Sequence, residues 1–96
     1  MDYTEQSMSN IQKNARKVGV KVKPSSRKGK KFDVYDKKTN EYITSIGASG
    51  FKDYHLYKQE NKDLAEDRRD LYKKRHQNNI HEKGSTGYYA FKILWN

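Results

Sequence analysis

A chain of 96 residues makes one small domain at most, and with hydrophobic residues at 32% and charged residues at 34% its supply of core is thin. Eight Tyr, three Phe and one Trp partly compensate, because each aromatic side chain buries a large area. The absence of Cys excludes a disulfide framework, thiolate chemistry and a Cys-based zinc site, and no apolar run approaches the roughly 20 residues needed to span a bilayer.

The net charge of +9 is unevenly placed. Between Asn10 and Lys31 stand Lys13, Arg16, Lys17, Lys21, Lys23, Arg27, Lys28, Lys30 and Lys31, with no acid among them. Residues 32–96 hold twelve basic and ten acidic residues, so the rest of the chain is nearly neutral. A one-sided charge block is the footprint expected for a polyanion: nucleic acid, an anionic membrane or an acidic protein. The plainer reading is a solvated, unstructured tail. The opening MDYTEQSMSN lacks the apolar stretch of a secretory signal, so a protein that is not secreted is expected.

In chain order, residues 4–17 are predicted to form a short helix. Met8, Ile11, Ala15 and Val18 recur on one face, although an isolated helix this short is marginal in water and needs a partner. "VGVKVKPSS" then reads as extended. Val18, Val20 and Val22 alternate with Gly19, Lys21 and Lys23, and Pro24 pushes Lys23 toward the β or polyproline region. One face is apolar and the other basic, which suits an arm lying on another surface. "KKFDVYD" and "EYITSIG" read as the strands of a hairpin, with Phe32 and Val34 on one face and Tyr42, Thr44 and Ile46 sharing a face of the second strand. Their link supplies turn chemistry: Asp36 for an Asx-type start and Asn40 for a left-handed residue. "GASG" breaks the pattern, since Gly47 and Gly50 allow angles closed to other residues.

"FKDYHLYKQENK" reads as a short helical turn or loop. Asn61 or Asp63 then caps a helix running to about Asn79. Asp63, Glu66 and Asp67 lie early in it and Lys73, Lys74 and Arg75 late, which suits the helix dipole, and Asp70 stands four residues before Lys74. After "HEKGSTG", the run "GYYAFKILW" is apolar on several sides. A strand is open there, and a C-terminal helix packed on the hairpin is the preferred reading.

Few residues point to chemistry. In "AEDRRDLYKKRH", Arg68, Arg69, Lys73, Lys74 and Arg75 could contact phosphates, with Tyr72 stacking on a base or packing on sugar. The favoured structural reading is a helix whose Arg stems cover a small core while Asp70 and Glu66 pair with the basic residues. His55, His76 and His81 lack the spacing and the Cys partners of a structural zinc site, so neither metal nor cofactor is expected. Asp53 with His55, or Glu60 with Asp63, could be imagined as acid and base. With no Gly-rich phosphate loop, nucleophile elbow or metal triad, no enzyme is expected. A hairpin entering a DNA groove would use Lys30, Lys31, Lys37 and Lys38, and Asp33, Asp36 and Glu41 argue against it.

The succession "VKPSSRKGKKFDVYD", "SIGASGFKDYHLY", "AEDRRDLYKKRH" and "KGSTGYYAFKILW" resembles an uncharacterised family of short basic proteins encoded by large nucleocytoplasmic DNA viruses. Those proteins share a basic leader, a KK-x-x-V strand, an IGA-x-G-x-x-DY turn, an A-x-x-RR-x-x-Y-x-x-RH helix and an LW terminus. The similarity spans about Gly19 to Trp95, with Phe91 standing where an acid or polar residue is expected. The resemblance implies a viral setting and a fold rather than an activity, and a place in the virion or the host-cell interior.

The expectation is therefore an α+β fold: a β-hairpin packed with one or two helices in residues 32–96, preceded by a basic N-terminal arm in residues 1–31. The first functional expectation is a non-enzymatic viral protein that binds nucleic acid, DNA being the expected polymer, through phosphate contacts of the arm and with little sequence specificity. The alternative is a minor capsid or internal virion protein whose arm docks Val18, Val20 and Val22 on neighbouring capsid subunits. In either case the folded body positions the arm or self-associates.

Overall fold

The computed structural model describes residues 2–96. Along it run α1 (Glu5–Lys17), β1 (Val20–Pro24), β2 (Lys30–Asp36), β3 (Tyr42–Ala48), α2 (Tyr54–Glu60), α3 (Lys62–Arg75) and α4 (Thr86–Leu94), an α+β arrangement as expected. The strands form an antiparallel sheet in the order β1-β2-β3. Helix α1 lies against β1, α4 lies against β3, and the two helices pack on each other. They cover one face of the sheet, and one apolar core fills the space between. Helices α2 and α3 pack as a pair, and α2 also meets α1.

The separate basic arm does not exist. The apolar stripe of α1 places Ile11 and Ala15 fully inside the core, with Met8 and Val18 packed at its margin. Val20 and Val22 are buried beside them, because β1 pairs with β2 in the register Val22↔Val34. The apolar alternation expected to dock on a foreign surface docks on the chain's own sheet. The boundary expected at residue 31 is corrected for the same reason: Ile11, Ala15, Val20 and Val22 belong to one core with Phe32, Val34, Ile46, Ile93 and Leu94. Asn14 adds a polar tie, its amide donating to the carbonyls of Ile93 at 3.2 Å and Asn96 at 2.8 Å.

The hairpin follows local chemistry. Asp36 Oδ1 accepts from the backbone N–H of Lys38 at 2.8 Å and of Thr39 at 3.0 Å, and Asn40 takes the left-handed conformation with φ 65°. The register passes from Val34↔Thr44 to Tyr35↔Tyr42, so Ile43 is an extra residue in a bulge. Gly47 has φ +79°, and a Cβ there would stand 2.9 Å from Lys31 Cδ and 3.0 Å from Leu94 Cδ1. Here both the backbone angle and the close approach require glycine.

The segment expected as a short helical turn or loop is helical and forms α2. Asp53 caps it, accepting the Leu56 N–H at 3.0 Å. Asn61 ends α2 and caps α3 through the Leu64 N–H at 3.0 Å. Helix α3 stops at Arg75, short of the expected end near Asn79, and Ala65 is its one buried residue. Asp70 and Lys74 form no ion pair; Glu66 bonds Arg69 instead at 2.7 Å. The C-terminal run is a helix, with Ile93 and Leu94 in the core. No helix among the described residues is long and apolar enough to cross a membrane.

Candidate nucleic-acid interface

The fold distributes the basic residues between Asn10 and Lys31 over three surfaces, and the predicted Arg68, Arg69, Lys73 and Arg75 lie on α3. Lys13, Arg16 and Lys17 lie on the exposed face of α1, opposite its apolar stripe. Lys13 and Lys17 border a shallow hollow of about 240 Å³, also lined by His55, Lys58 and Arg69. Lys21 and Lys23 project from the uncovered face of the sheet, because side chains alternate along β1 and its valines face the core. Arg27 and Lys28 occupy the β1–β2 turn, and Lys30 and Lys31 open β2.

On the uncovered sheet face the charge is partly answered. Lys23 Nζ lies 5.5 Å from the Tyr35 ring centre, and the Arg27 guanidinium lies 4.2 Å from that of Tyr42. Arg27 also meets Asp33 at 3.6 Å. Hydrogen bonds from Ser45 and Ser25, then the Arg27 charge, hold the Asp33 carboxyl below the usual carboxylate range. An acid therefore sits in the middle of this face.

A second concavity lies elsewhere. A hollow of about 440 Å³ opens among the start of β2, the β3–α2 turn, α3 and the end of α4. That volume falls within the roughly 300–1,000 Å³ of ordinary ligand sites. Its cations are Lys30, Lys31, Lys52, Arg68 and Arg75, and its aromatic side chains are Phe51, Tyr57, Tyr72, His76 and Trp95. Of the predicted residues it gathers Lys30, Lys31, Arg68 and Arg75. It does not gather Arg69, which pairs with Glu66 and lies 4.5 Å over Tyr54, or Lys73, which lies 5.9 Å over Phe91.

The aromatics of the hollow form a packed group. Tyr72 stacks on Trp95 with centroids 4.4 Å apart and planes 10° apart, and His76 lies 4.3 Å from Tyr72. Burial raises the Tyr72 hydroxyl above its ordinary pKa. Phe51 differs from these: it is 71% exposed. It follows a turn closed by its N–H on the Ala48 carbonyl at 3.2 Å, in which Gly50 takes φ +85°. Phe51, Tyr57, His76 and Trp95 carry no binding signature in the sequence. The one signal there is a lone Phe placed directly after the glycine breaker.

Of the imagined acid–base residues, Asp53 and His55 are tied into the fold. Asp53 Oδ2 accepts from the Tyr3 hydroxyl and from Lys31 Nζ at 3.1 Å, while Oδ1 caps α2. Burial first, then the Asp53 charge and hydrogen bond, pushes the Tyr3 hydroxyl far above its ordinary pKa. His55 Nε2–H donates to the Ile93 carbonyl at 3.0 Å. Burial lowers the pKa of His55, against the Ile93 hydrogen bond and the Asp53 charge and with help from Lys58.

That direction sets a pH dependence. The unfolded chain takes up a proton as pH falls through about 6.5, before the folded chain does. The stability from a neutral His55 is complete above that value and is lost as pH falls toward the folded pKa. Thermal melts between about pH 7.5 and 5.5 are expected to show a falling midpoint in the wild type and a flatter dependence in His55→Gln. Equal slopes would remove His55 as the cause.

Compared with models of protein families, with curated proteins and with solved structures, the chain matches none. Its function is therefore inferred from its own residues and geometry.

Proposed function

We propose that this is a non-enzymatic nucleic-acid-binding protein that holds its partner mainly through phosphates and with little sequence specificity. The supporting observation is uncompensated charge on a folded surface. Among the described residues, only Arg27 and Lys31 of the basic set between Asn10 and Lys31 form ion pairs. Among the described residues, Lys13, Arg16, Lys17, Lys21, Lys23, Lys28 and Lys30 have no carboxylate partner, nor do Arg68, Lys73 and Arg75. Phosphates supply the missing counter-charge and release condensed ions as they do so. On the resemblance to the viral proteins, the polymer is a viral DNA genome. The virion-protein alternative required Val18, Val20 and Val22 to be free for a neighbour, and β1 already uses its valines within its own sheet.

Since these side chains sit on a folded scaffold, charge can be removed without removing structure. Lys13, Lys17, Lys21 and Lys23 changed together to Gln should leave the melt close to wild type and weaken binding to labelled duplex DNA. The slope of log affinity against log salt should become shallower by about 0.9 for each phosphate the variant no longer neutralises. An unchanged slope would exclude these residues. Absence of salt-dependent binding to any nucleic acid would overturn the function.

A further inference from the structure

We propose that the hollow between β3, α3 and α4 takes an unstacked base of a single-stranded nucleic acid, with the base stacked on Phe51 and its flanking phosphates on Lys30, Arg68 and Arg75. This rests on the nucleic-acid function proposed for the chain and goes further, because phosphate binding alone does not distinguish one strand from two. Apart from Lys30, the residues that would hold the nucleotide lie outside the N-terminal charge block.

Phe51 and Leu71 are two of the large apolar side chains the fold leaves exposed, and both line this hollow. An apolar residue exposed singly is ordinary, but two on one concavity are the kind of grouped apolar surface found at interaction sites. The chemistry around it selects the occupant. Among the described residues, Asp53 is the one carboxylate lining the hollow, and Lys31 already neutralises it. Lys52 is paired with Glu60 at 2.7 Å. Lys30, Arg68 and Arg75 remain without an acid. The Arg68 guanidinium lies 5.5 Å over the Tyr57 ring, which holds it beside the aromatics. An apolar peptide would match Phe51 and Leu71 and leave three cations unanswered. An acidic peptide would answer the cations and leave the ring exposed. An unpaired nucleotide carries both a π-face and a phosphate, the combination used by single-strand binders. In a duplex the same base face is covered by its neighbours, so this site is closed to double-stranded DNA.

Trp95 is the chain's one tryptophan and lines the same hollow, so its fluorescence reports occupancy. Full-length protein is titrated with labelled oligodeoxythymidine and with a duplex of equal length at matched salt. The expected result is tighter binding of the single strand, a change in Trp95 emission with that strand and not with the duplex, and a loss of about tenfold in single-strand affinity for Phe51→Ala. Phe51 is exposed, so the variant's melt should match wild type, and Phe51→Tyr should retain binding. Equal affinity for both forms with a silent Trp95, or a Phe51→Ala variant that binds the single strand as wild type does, would overturn the base pocket while leaving the phosphate-binding function in place. Binding of neither form would overturn both.

Discussion

A chain that begins at Phe32 is expected to lose the fold altogether, rather than to yield a smaller domain without its charge. Residues 1–31 supply Ile11, Ala15, Val20 and Val22, each no more than 3% exposed. Burying an Ile or Val side chain contributes about 1.5–3 kcal/mol, so Ile11, Val20 and Val22 together contribute roughly 5–9 kcal/mol. A domain of this length has a net stability of roughly 5–14 kcal/mol. The deletion also removes the whole pairing of β1 on β2, the Asn14 tie to α4 and the Lys31 partner of Asp53. Far-UV circular dichroism of residues 32–96 should show a largely unfolded chain with no cooperative melt. A fragment that kept native-like helix and sheet signals and melted cooperatively would restore the separate arm. An arm deletion therefore cannot test nucleic-acid binding, because loss of binding would follow from loss of structure. Substitution of exposed lysines avoids that confusion.

What could be read from the sequence was local. The Asx turn at Asp36, the left-handed Asn40 and the Asn61 cap each depend on a few neighbouring residues, and each formed as the residue chemistry requires. The stripe of Met8, Ile11 and Ala15 was also legible, because a helix repeats every 3.6 residues whatever it packs against. Its partner was not legible. The alternation of valines with Lys21 and Lys23 reads as an arm with an apolar and a basic face, and the surface that receives it is the chain's own core beside β2. The charge was real, and only half of each residue pair expressed it. The hollow was illegible for a different reason. It joins the start of β2, the β3–α2 turn, α3 and the end of α4, which no short-range rule connects. Asp53 was visible as an acid near a His. Its bonds to Tyr3, fifty residues away, and to Lys31 turn that apparent catalytic group into a structural one.

Asp53 therefore carries the second large effect, and it connects stability with the proposed binding. Its side chain is 3% exposed and that of Lys31 is 11% exposed. Replacing Asp53 with Ala strands the Lys31 ammonium, removes the acceptor for the Tyr3 hydroxyl and uncaps α2. Breaking a buried ion pair from one side costs about 3–5 kcal/mol, and losing an N-cap typically costs about 1 kcal/mol. A fall in melting midpoint of more than about 10 °C is expected for Asp53→Ala. Asp53→Asn should fall less, because Asn caps a helix as well as Asp does and still accepts a hydrogen bond. The same substitution removes the negative charge from the hollow and frees Lys31 for a phosphate. On the proposed function, Asp53→Asn should bind single-stranded DNA more tightly than wild type while melting at a lower temperature. Opposite movements in one variant, with binding measured at a temperature where its circular dichroism is that of the folded protein, would separate the two roles of Asp53. A variant that stayed folded under the binding conditions and still lost affinity would show that the hollow does not receive the phosphates.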